Sequence, residues 1–184
     1  MTKTKAHSLT NLIGALLIVV ALVSAGGLVY IASEYSKISD TIVSVEATIS
    51  DVLVVINGDT GRTNITVSIL VNNPSSLDID IRMAQYLVYT DWDPASITEY
   101  DREIGGTQSA RNGTVAKNTM TEVQYTHSIF PDTAYAERID YSMGMGNTTW
   151  FLVSGFLSFE ISEYPDVIQD IDIGYMSEVE VRYV

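Results

Sequence analysis

A run of 21 residues without a charged side chain, Leu12 to Ala32, restricts the fold of this chain more than any other feature. A helix rises about 1.5 Å per residue, so a run of this length spans the hydrocarbon core of a bilayer, which is roughly 30 Å thick. In a soluble fold such a long uncharged stretch would be unusual. We therefore predict a transmembrane helix at residues 12–32, embedded in the lipid bilayer.

The charges that flank this helix predict its orientation. Lys3 and Lys5 precede the apolar run, whereas Glu34 follows it. Short segments that carry Lys and Arg beside a membrane span favour the cytoplasmic side. Residues 1–11 are thus predicted to be a cytoplasmic tail, and the C-terminal domain to be extracellular. The chain is predicted to be a single-pass protein of the cell membrane.

A cleaved signal peptide is the rival interpretation. The sequence Val23-Ser24-Ala25 places small residues before Gly26, which is an acceptable site for cleavage after Ala25. The apolar run continues to Ala32, however, whereas the apolar region of a signal peptide usually has about 7–15 residues. An uncleaved anchor is therefore the favoured interpretation.

Beyond the helix the chain is strongly acidic. Residues 34–184 contain 8 Lys and Arg side chains and all 23 Asp and Glu side chains, a net charge of −15. Such a surface repels nucleic acid, so we predict no nucleic-acid partner. The chain has no cysteine, which excludes disulfides, thiolate metal sites and cysteine nucleophiles.

Residues 33–42 are predicted to continue the helix or to form a short stalk, and residues 43–184 to form the extracytoplasmic domain. Alternation of apolar and polar residues indicates strands in this domain. The predicted strand segments are Ile42–Ile56, Arg62–Val71, Leu77–Tyr89, Val115–Ile129, Trp150–Ile161 and Glu178–Val184.

The rest of the domain is predicted to contain little regular structure. Thr133–Met143 is the best helical candidate, and residues 91–111 are polar and irregular. The whole pattern predicts an all-β fold: an Ig/fibronectin-III-like antiparallel β-sandwich with one short helix, preceded by a single transmembrane α-helix.

Two segments of the domain resemble the LEA14/WHy family, the LEA type 2 proteins. Val67–Tyr89 reads as a strand, an Asn-Pro break and an amphipathic strand, and Trp150–Phe159 is similar to the family's strand with a central glycine after its single helix. The resemblance covers roughly residues 43–184. It implies a sandwich without catalytic residues, associated with stress tolerance, and such domains occur behind one membrane helix in plants and archaea. A non-enzymatic role in cell-envelope binding or structural support is the function that it implies.

The N-terminus is also similar to archaeal type IV pilins. Residues 5–32 contain a basic residue, a small residue and a long apolar helix. A pilin would be cut after Ala6, which leaves His7 as an unusual first residue, and its helices would bundle into a homo-oligomeric filament. A third interpretation is an accessory subunit that docks into a membrane complex through its helix.

The residue inventory of the domain argues against an enzyme. His127 is its one histidine, so it is the one side chain that could act as the base of a catalytic triad, and no Gly-x-Ser-x-Gly elbow accompanies it. Carboxylates that could bind calcium lack the spacing of a calcium loop; they are Asp78/Asp80, Asp91/Asp93, Asp101/Glu103 and Asp166/Asp170/Asp172. We predict no catalytic residue, no cofactor and no metal.

Surface features remain as candidate sites. Asn64, Asn112 and Asn147 begin Asn-x-Thr triplets, which are acceptors for N-glycans in an exported protein. Trp92 lies in a polar segment, where an exposed tryptophan often marks an interface. The other large aromatic residues are predicted to lie mostly in the core; they are Trp150, Phe151, Phe156 and Phe159.

Overall fold

A computed structural model describes the backbone of residues 3–90, 103–134, 136, 139 and 148–184. It describes the side chains of the same residues except those of 3–13 and 103–112. The chain divides into two compact units, Met1–Asp40 and Thr41–Val184.

One long helix, α1, spans Lys3–Ser44. Its described part from Gly14 onward is long and apolar enough to cross a membrane, and none of the side chains in its apolar window is buried. The core helix of a soluble protein would bury that window. The segment predicted as a stalk is a continuation of this helix, since the helix extends beyond residue 42.

The described part of the domain is a two-layered β-structure of seven strands. They are β1 (Glu46–Ile56), β2 (Thr63–Asn73), β3 (Ile79–Thr90), β4 (Glu103–Val115), β5 (Thr119–Ile129), β6 (Thr148–Ile161) and β7 (Tyr164–Tyr183). Their order across the sheet is β4-β3-β6-β7-β1-β2-β5. The predicted sandwich is confirmed, and its sheet closes nearly into a barrel.

The last strand joins the two layers. Over most of its length β7 pairs antiparallel with β6, and its residues Val181, Arg182 and Tyr183 pair with the end of β1. This β1–β7 pairing is parallel, whereas every other pairing among the described strands is antiparallel. No pattern in the sequence indicates a parallel pair.

The apolar faces of both layers form one core. Along β2, Ile65, Val67, Ile69 and Val71 are fully buried, as the alternation of this segment predicts. The central strand β6 contributes two of the largest buried side chains, Phe151 and Phe159.

A β-bulge at Arg82 changes which residues of β3 face the core. Ile81 pairs with Phe159 of β6 but Met83 pairs with Ser158, so Arg82 is an extra residue on β3. Before the bulge Ile79 and Ile81 are buried, and after it the buried positions are Ala84, Tyr86 and Val88. The bulge thereby turns Tyr86 into the sandwich.

A buried asparagine fixes the connection between β2 and β3. Asn73 Nδ2 donates to the backbone oxygens of Leu77 (2.9 Å) and Val115 (3.2 Å). Its Oδ1 accepts hydrogen bonds from the backbone nitrogen and the hydroxyl of Ser75, at 3.2 and 2.7 Å. Both side chains are buried. Asn73 at the end of β2 is therefore crosslinked to the β2–β3 connection and to the end of β4.

Two sequence predictions are wrong. The segment 91–111 is predicted to be irregular, but β4 begins at Glu103. This edge strand consists mainly of glycines and polar residues, so it lacks the apolar alternation that would predict a strand. The last strand is predicted to begin at Glu178, but it begins at Tyr164. Ile168 and Met176 are apolar residues at exposed positions of β7, so the sequence of this strand does not alternate regularly.

The predicted helix Thr133–Met143 is described in part. Ala134, Ala136 and Ile139 are helical, and Ala136 and Ile139 are buried. The remaining residues beyond Ala134 up to Asn147 lie outside the described residues.

Candidate binding surface

The outer face of the β3–β6–β7 layer exposes a group of apolar side chains, which we call the outer patch. It consists of Leu87, Trp150, Leu152, Phe156 and Met176. Leu87, Trp150 and Met176 are 41%, 41% and 47% exposed, and the other two are partly exposed. The neighbouring residues Phe151, Val153 and Leu157 of β6 are fully buried, so the patch lies on the side of β6 that faces away from the core.

Strand register makes the patch contiguous. Leu152 of β6 lies directly opposite Met176 of β7. Leu87 of β3 lies opposite Ser154, which places it diagonally between Leu152 and Phe156, within reach of large side chains. A soluble domain rarely exposes neighbouring large apolar side chains without a partner for them.

Acidic side chains line the β7 edge of the outer patch. On the outward positions of this strand, exposed Asp170 and Asp172 precede Gly174 and Met176, and exposed Glu178 and Glu180 follow. Trp150 pairs directly with Glu178, whose Oε1 accepts a hydrogen bond of 2.6 Å from the Thr148 hydroxyl. The patch therefore combines an apolar centre with negative charge at both ends.

Inside the sandwich lies a separate polar pair. The Tyr86 ring on β3 and the His127 ring on β5 lie 6.3 Å apart, centroid to centroid. Among the described residues, neither the Tyr86 hydroxyl nor either ring nitrogen of His127 has a hydrogen-bond partner, although all three atoms are buried. Burial lowers the pKa of His127, and burial together with the nearby Tyr125 raises the pKa of Tyr86.

This pair lacks the geometry of a catalytic base. A triad histidine is held by a carboxylate and touches a nucleophile, whereas the two ring nitrogens of His127 contact neither among the described residues. The buried carboxylate Glu160 lies on the outward side of β6 and forms a 3.2 Å salt bridge with Arg82. The two groups lie on opposite faces of the sheet.

The domain also has a pocket at the C-terminal end of β1. A pocket of about 320 Å³ is lined by Ile56, Asn57, Gly58, Gly61, Thr63, Pro131, Ala136 and Tyr183. Tyr183 is its one titratable lining side chain among the described residues. Beside this pocket the Arg62 guanidinium lies 4.6 Å from the centre of the Phe130 ring.

Two of the acidic candidates for calcium, Asp78 and Asp80, accept hydrogen bonds within the domain. Asp78 Oδ1 accepts a 2.8 Å hydrogen bond from the backbone nitrogen of Lys117, and Asp80 accepts one from the Thr114 hydroxyl. The first contact holds the β4–β5 turn, and the second joins paired residues of β3 and β4. Within the described ranges, no group of three or more His, Asp or Glu side chains could hold a metal ion.

The predicted surface sites are only partly described. Asn64 lies within β2, partly exposed, and its Oδ1 accepts a 2.6 Å hydrogen bond from the Ser128 hydroxyl. Asn112 lies in β4. Asn147 and Trp92 lie outside the described residues. Glycosylation at the three asparagines and an interface at Trp92 stay predictions.

The outer patch is not among the sites predicted from the sequence. Trp150 and Phe156 are predicted to lie mostly in the core, but both face outward, unlike Phe151 and Phe159. The sequence of Trp150–Leu157, WFLVSGFL, does indicate an apolar outer face, because its consecutive apolar residues make both faces of β6 apolar. Such a strand is typical of a sheet covered on both sides.

Comparisons with known proteins identify the fold. No protein-family profile matches the sequence, and no curated protein sequence matches it. Among solved structures, a candidate late embryogenesis abundant (LEA) protein, At2g46140.1, is 18% identical with a TM-score of 0.54, over 88% of this chain and 85% of that chain. AT1g01470 from Arabidopsis thaliana is 16% identical with a TM-score of 0.55, over 74% and 82% of the two chains. The domain thus has an LEA-like fold.

Proposed function

We propose that this chain is a membrane-anchored LEA14/WHy-like domain that acts without catalysis, by binding or supporting another component of the cell envelope. The observation that carries the proposal is the outer patch, since an acidic, soluble domain gains nothing by exposing Leu87, Trp150 and Met176 to water. The LEA-like fold supports the proposal, because the family resembled by the sequence is not enzymatic.

The membrane arrangement is part of the proposal. Helix α1 is the anchor, with Lys3 and Lys5 on the cytoplasmic side and the domain on the outer side. An anchored domain shares its membrane with any anchored partner. This raises the effective concentration of any partner in the same membrane, so a small patch suffices for binding.

Two of the alternatives are distinguished by simple measurements. An accessory subunit would dock into a membrane complex through its helix, and detergent extraction followed by sizing would reveal a stable complex. For the pilin-like alternative, the intact mass and N-terminal sequence of the native protein decide. A start at Met1 or Thr2 excludes pilin processing, a start at His7 supports it, and a start at Gly26 indicates a secreted domain.

The binding function is tested with a photo-crosslinking amino acid in the full-length protein within intact membranes. One variant carries it at Met176, in the patch, and a matched control carries it at Glu163, an exposed turn residue. We expect a discrete adduct with one envelope component, identified by mass spectrometry, at Met176 alone. Equal adducts at both positions, or none at either, would contradict the proposal.

A further inference from the structure

The charges around the outer patch specify its partner more closely than the patch alone. This step rests on the proposed binding function. Asp172 pairs with Phe156 and Glu178 pairs with Trp150 across β6 and β7, so each acid lies beside an apolar member of the patch. Glu178 and Glu180 also line a shallow depression together with Asp51 of β1. Asp172, Glu178 and Glu180, which we call the acidic rim, therefore border the patch on its β7 side.

Within the described part of the domain, these acids are hardly neutralised. Arg182 lies 3.8 Å from Glu180, but the two side chains are 61% and 66% exposed, and an ion pair in water contributes little. Neither Asp172 nor Glu178 forms a salt bridge with a described residue. Their charges are available to a partner.

This charge selects among possible occupants of the patch. A second copy of the chain would bring two acidic rims together on chains whose residues 34–184 each carry −15, which opposes docking. An anionic lipid surface is repelled for the same reason. A protein surface that carries lysine or arginine around an apolar stripe matches both the centre and the rim.

We infer that the outer patch docks a basic amphipathic protein segment, whose apolar side chains cover Leu87, Trp150 and Met176 and whose cations pair with Asp172, Glu178 and Glu180. The apolar contacts supply most of the affinity, because exposed tryptophan and its neighbours are typical binding hot spots. The acids supply partner selection and fast association.

The test uses the full chain in nanodiscs of zwitterionic lipid and short synthetic peptides of alternating Leu and Lys, Leu and Gln, or Leu and Glu. Affinity is measured by calorimetry at about 0.05 M and about 0.5 M NaCl. We expect the Lys peptide to bind most tightly, and to lose affinity about tenfold at the higher salt concentration.

Two sets of variants separate the contribution of the rim charges to peptide binding from the contribution of the apolar patch. The rim variant combines Asp172→Asn, Glu178→Gln and Glu180→Gln. Its matched control, Asp59→Asn, Asp132→Asn and Glu163→Gln, removes the same charge from exposed acids elsewhere. We expect about tenfold weaker binding of the Lys peptide to the rim variant and a change of less than about twofold in the control. Leu87→Asn with Met176→Asn should weaken all three peptides.

The contrary outcomes are distinct. Equal losses in the rim variant and its control would mean general attraction to an acidic domain, which overturns the inference. If the patch variant loses the Lys and Gln peptides alike while the rim variant loses neither, the inference fails but the proposed binding surface stands. Self-association through the patch, detected by light scattering without peptide, would also overturn the inference.

Discussion

The ring of Tyr86 lies 6.3 Å from the ring of His127, centroid to centroid, so that one aromatic side chain from each layer meets inside the sandwich. The bulge at Arg82 is what brings Tyr86 to this position. Without the extra residue, Tyr86 would face outward and Gln85 inward. The pair closes the space between the layers with side chains whose polar atoms are buried.

The first prediction concerns the pH dependence of stability. Burial lowers the pKa of His127 from its ordinary value of 6.5, so the folded domain holds the imidazole neutral. Below pH 6.5 the unfolded chain takes up a proton that the folded domain does not, and the free energy of unfolding falls by at most about 1.4 kcal/mol per pH unit until the folded pKa is reached. Partial exposure of the residue should keep the slope below this limit.

The measurement is urea unfolding of the full chain in detergent between pH 5 and pH 8, for the wild type and His127→Gln. Carboxylates titrate in both proteins, so the informative quantity is the difference between their free energies of unfolding. This difference should be constant above the ordinary pKa of 6.5 and should shift in favour of the variant below it. Parallel curves throughout would show that His127 does not carry the effect.

The second prediction concerns the Tyr86 hydroxyl. The side chain is 1% exposed, and the hydroxyl has no hydrogen-bond partner among the described residues. Removing a desolvated, unpaired hydroxyl costs nothing and relieves a penalty, so Tyr86→Phe should raise the free energy of unfolding by about 1 kcal/mol. Tyr86→Ala, which leaves a cavity, should lower it by about 3–5 kcal/mol. A clear loss of stability in Tyr86→Phe would contradict the prediction.

The sandwich itself was predictable because apolar and polar residues alternate clearly in segments such as β2. In β2 the apolar residues alternate strictly, and Ile65, Val67, Ile69 and Val71 are all buried. The helix was predictable because length and absence of charge are sufficient for it. In both cases the physical requirement acts within one segment of the chain.

The features that sequence analysis missed depend on more than one segment. The parallel contact of Val181 with Val54 joins strands far apart in the chain, and no local pattern signals it. The bulge at Arg82 inverts the alternation only because β6 has no matching extra residue. The outer patch was missed because Trp150 has the same apolar character as Phe151, and only the sheet decides which of them meets water.

The third prediction concerns the glycine opposite Tyr86. A Cβ at Gly155 would overlap the carbonyl oxygen of Gln85 and lie 2.5 Å from Tyr86 Cα. Backbone atoms cannot move aside as a flexible side chain can, so Gly155→Ala should lower the free energy of unfolding by about 3 kcal/mol or more. The matched control is Gly174→Ala on the adjacent strand, where the nearest atom to a new Cβ is Val153 O at 4.0 Å.

Urea unfolding of the two glycine variants, followed by tryptophan fluorescence, tests this difference. The control should lie within about 0.5 kcal/mol of the wild type, as is usual for surface substitutions. If both variants were as stable as the wild type, the backbone of β3 would lie farther from Gly155 than the distances given above. If both were equally destabilised, the cause would be the loss of glycine in a strand and not the close approach at Gly155.

The last prediction concerns Asn73, which links the end of β2 to the β2–β3 connection and to the end of β4. Its amide donates to Leu77 and Val115 and accepts from Ser75, in a site from which water is excluded. Asn73→Ala would leave these groups unpaired, at a cost of about 1–3 kcal/mol for each buried group. We expect a loss of about 3 kcal/mol in the free energy of unfolding. Asn73→Asp should be worse, because a carboxylate would face two carbonyl oxygens.

Asn72 provides the control for this site. It precedes Asn73 in β2 and is partly exposed on the opposite face of the strand, so Asn72→Ala should change the free energy of unfolding by no more than about 0.5 kcal/mol. Urea unfolding of the three variants measures the difference. A mild Asn73→Ala variant would mean that water enters and replaces the lost hydrogen bonds, and the connection between β2 and β3 would then depend on Pro74 and Leu77 instead.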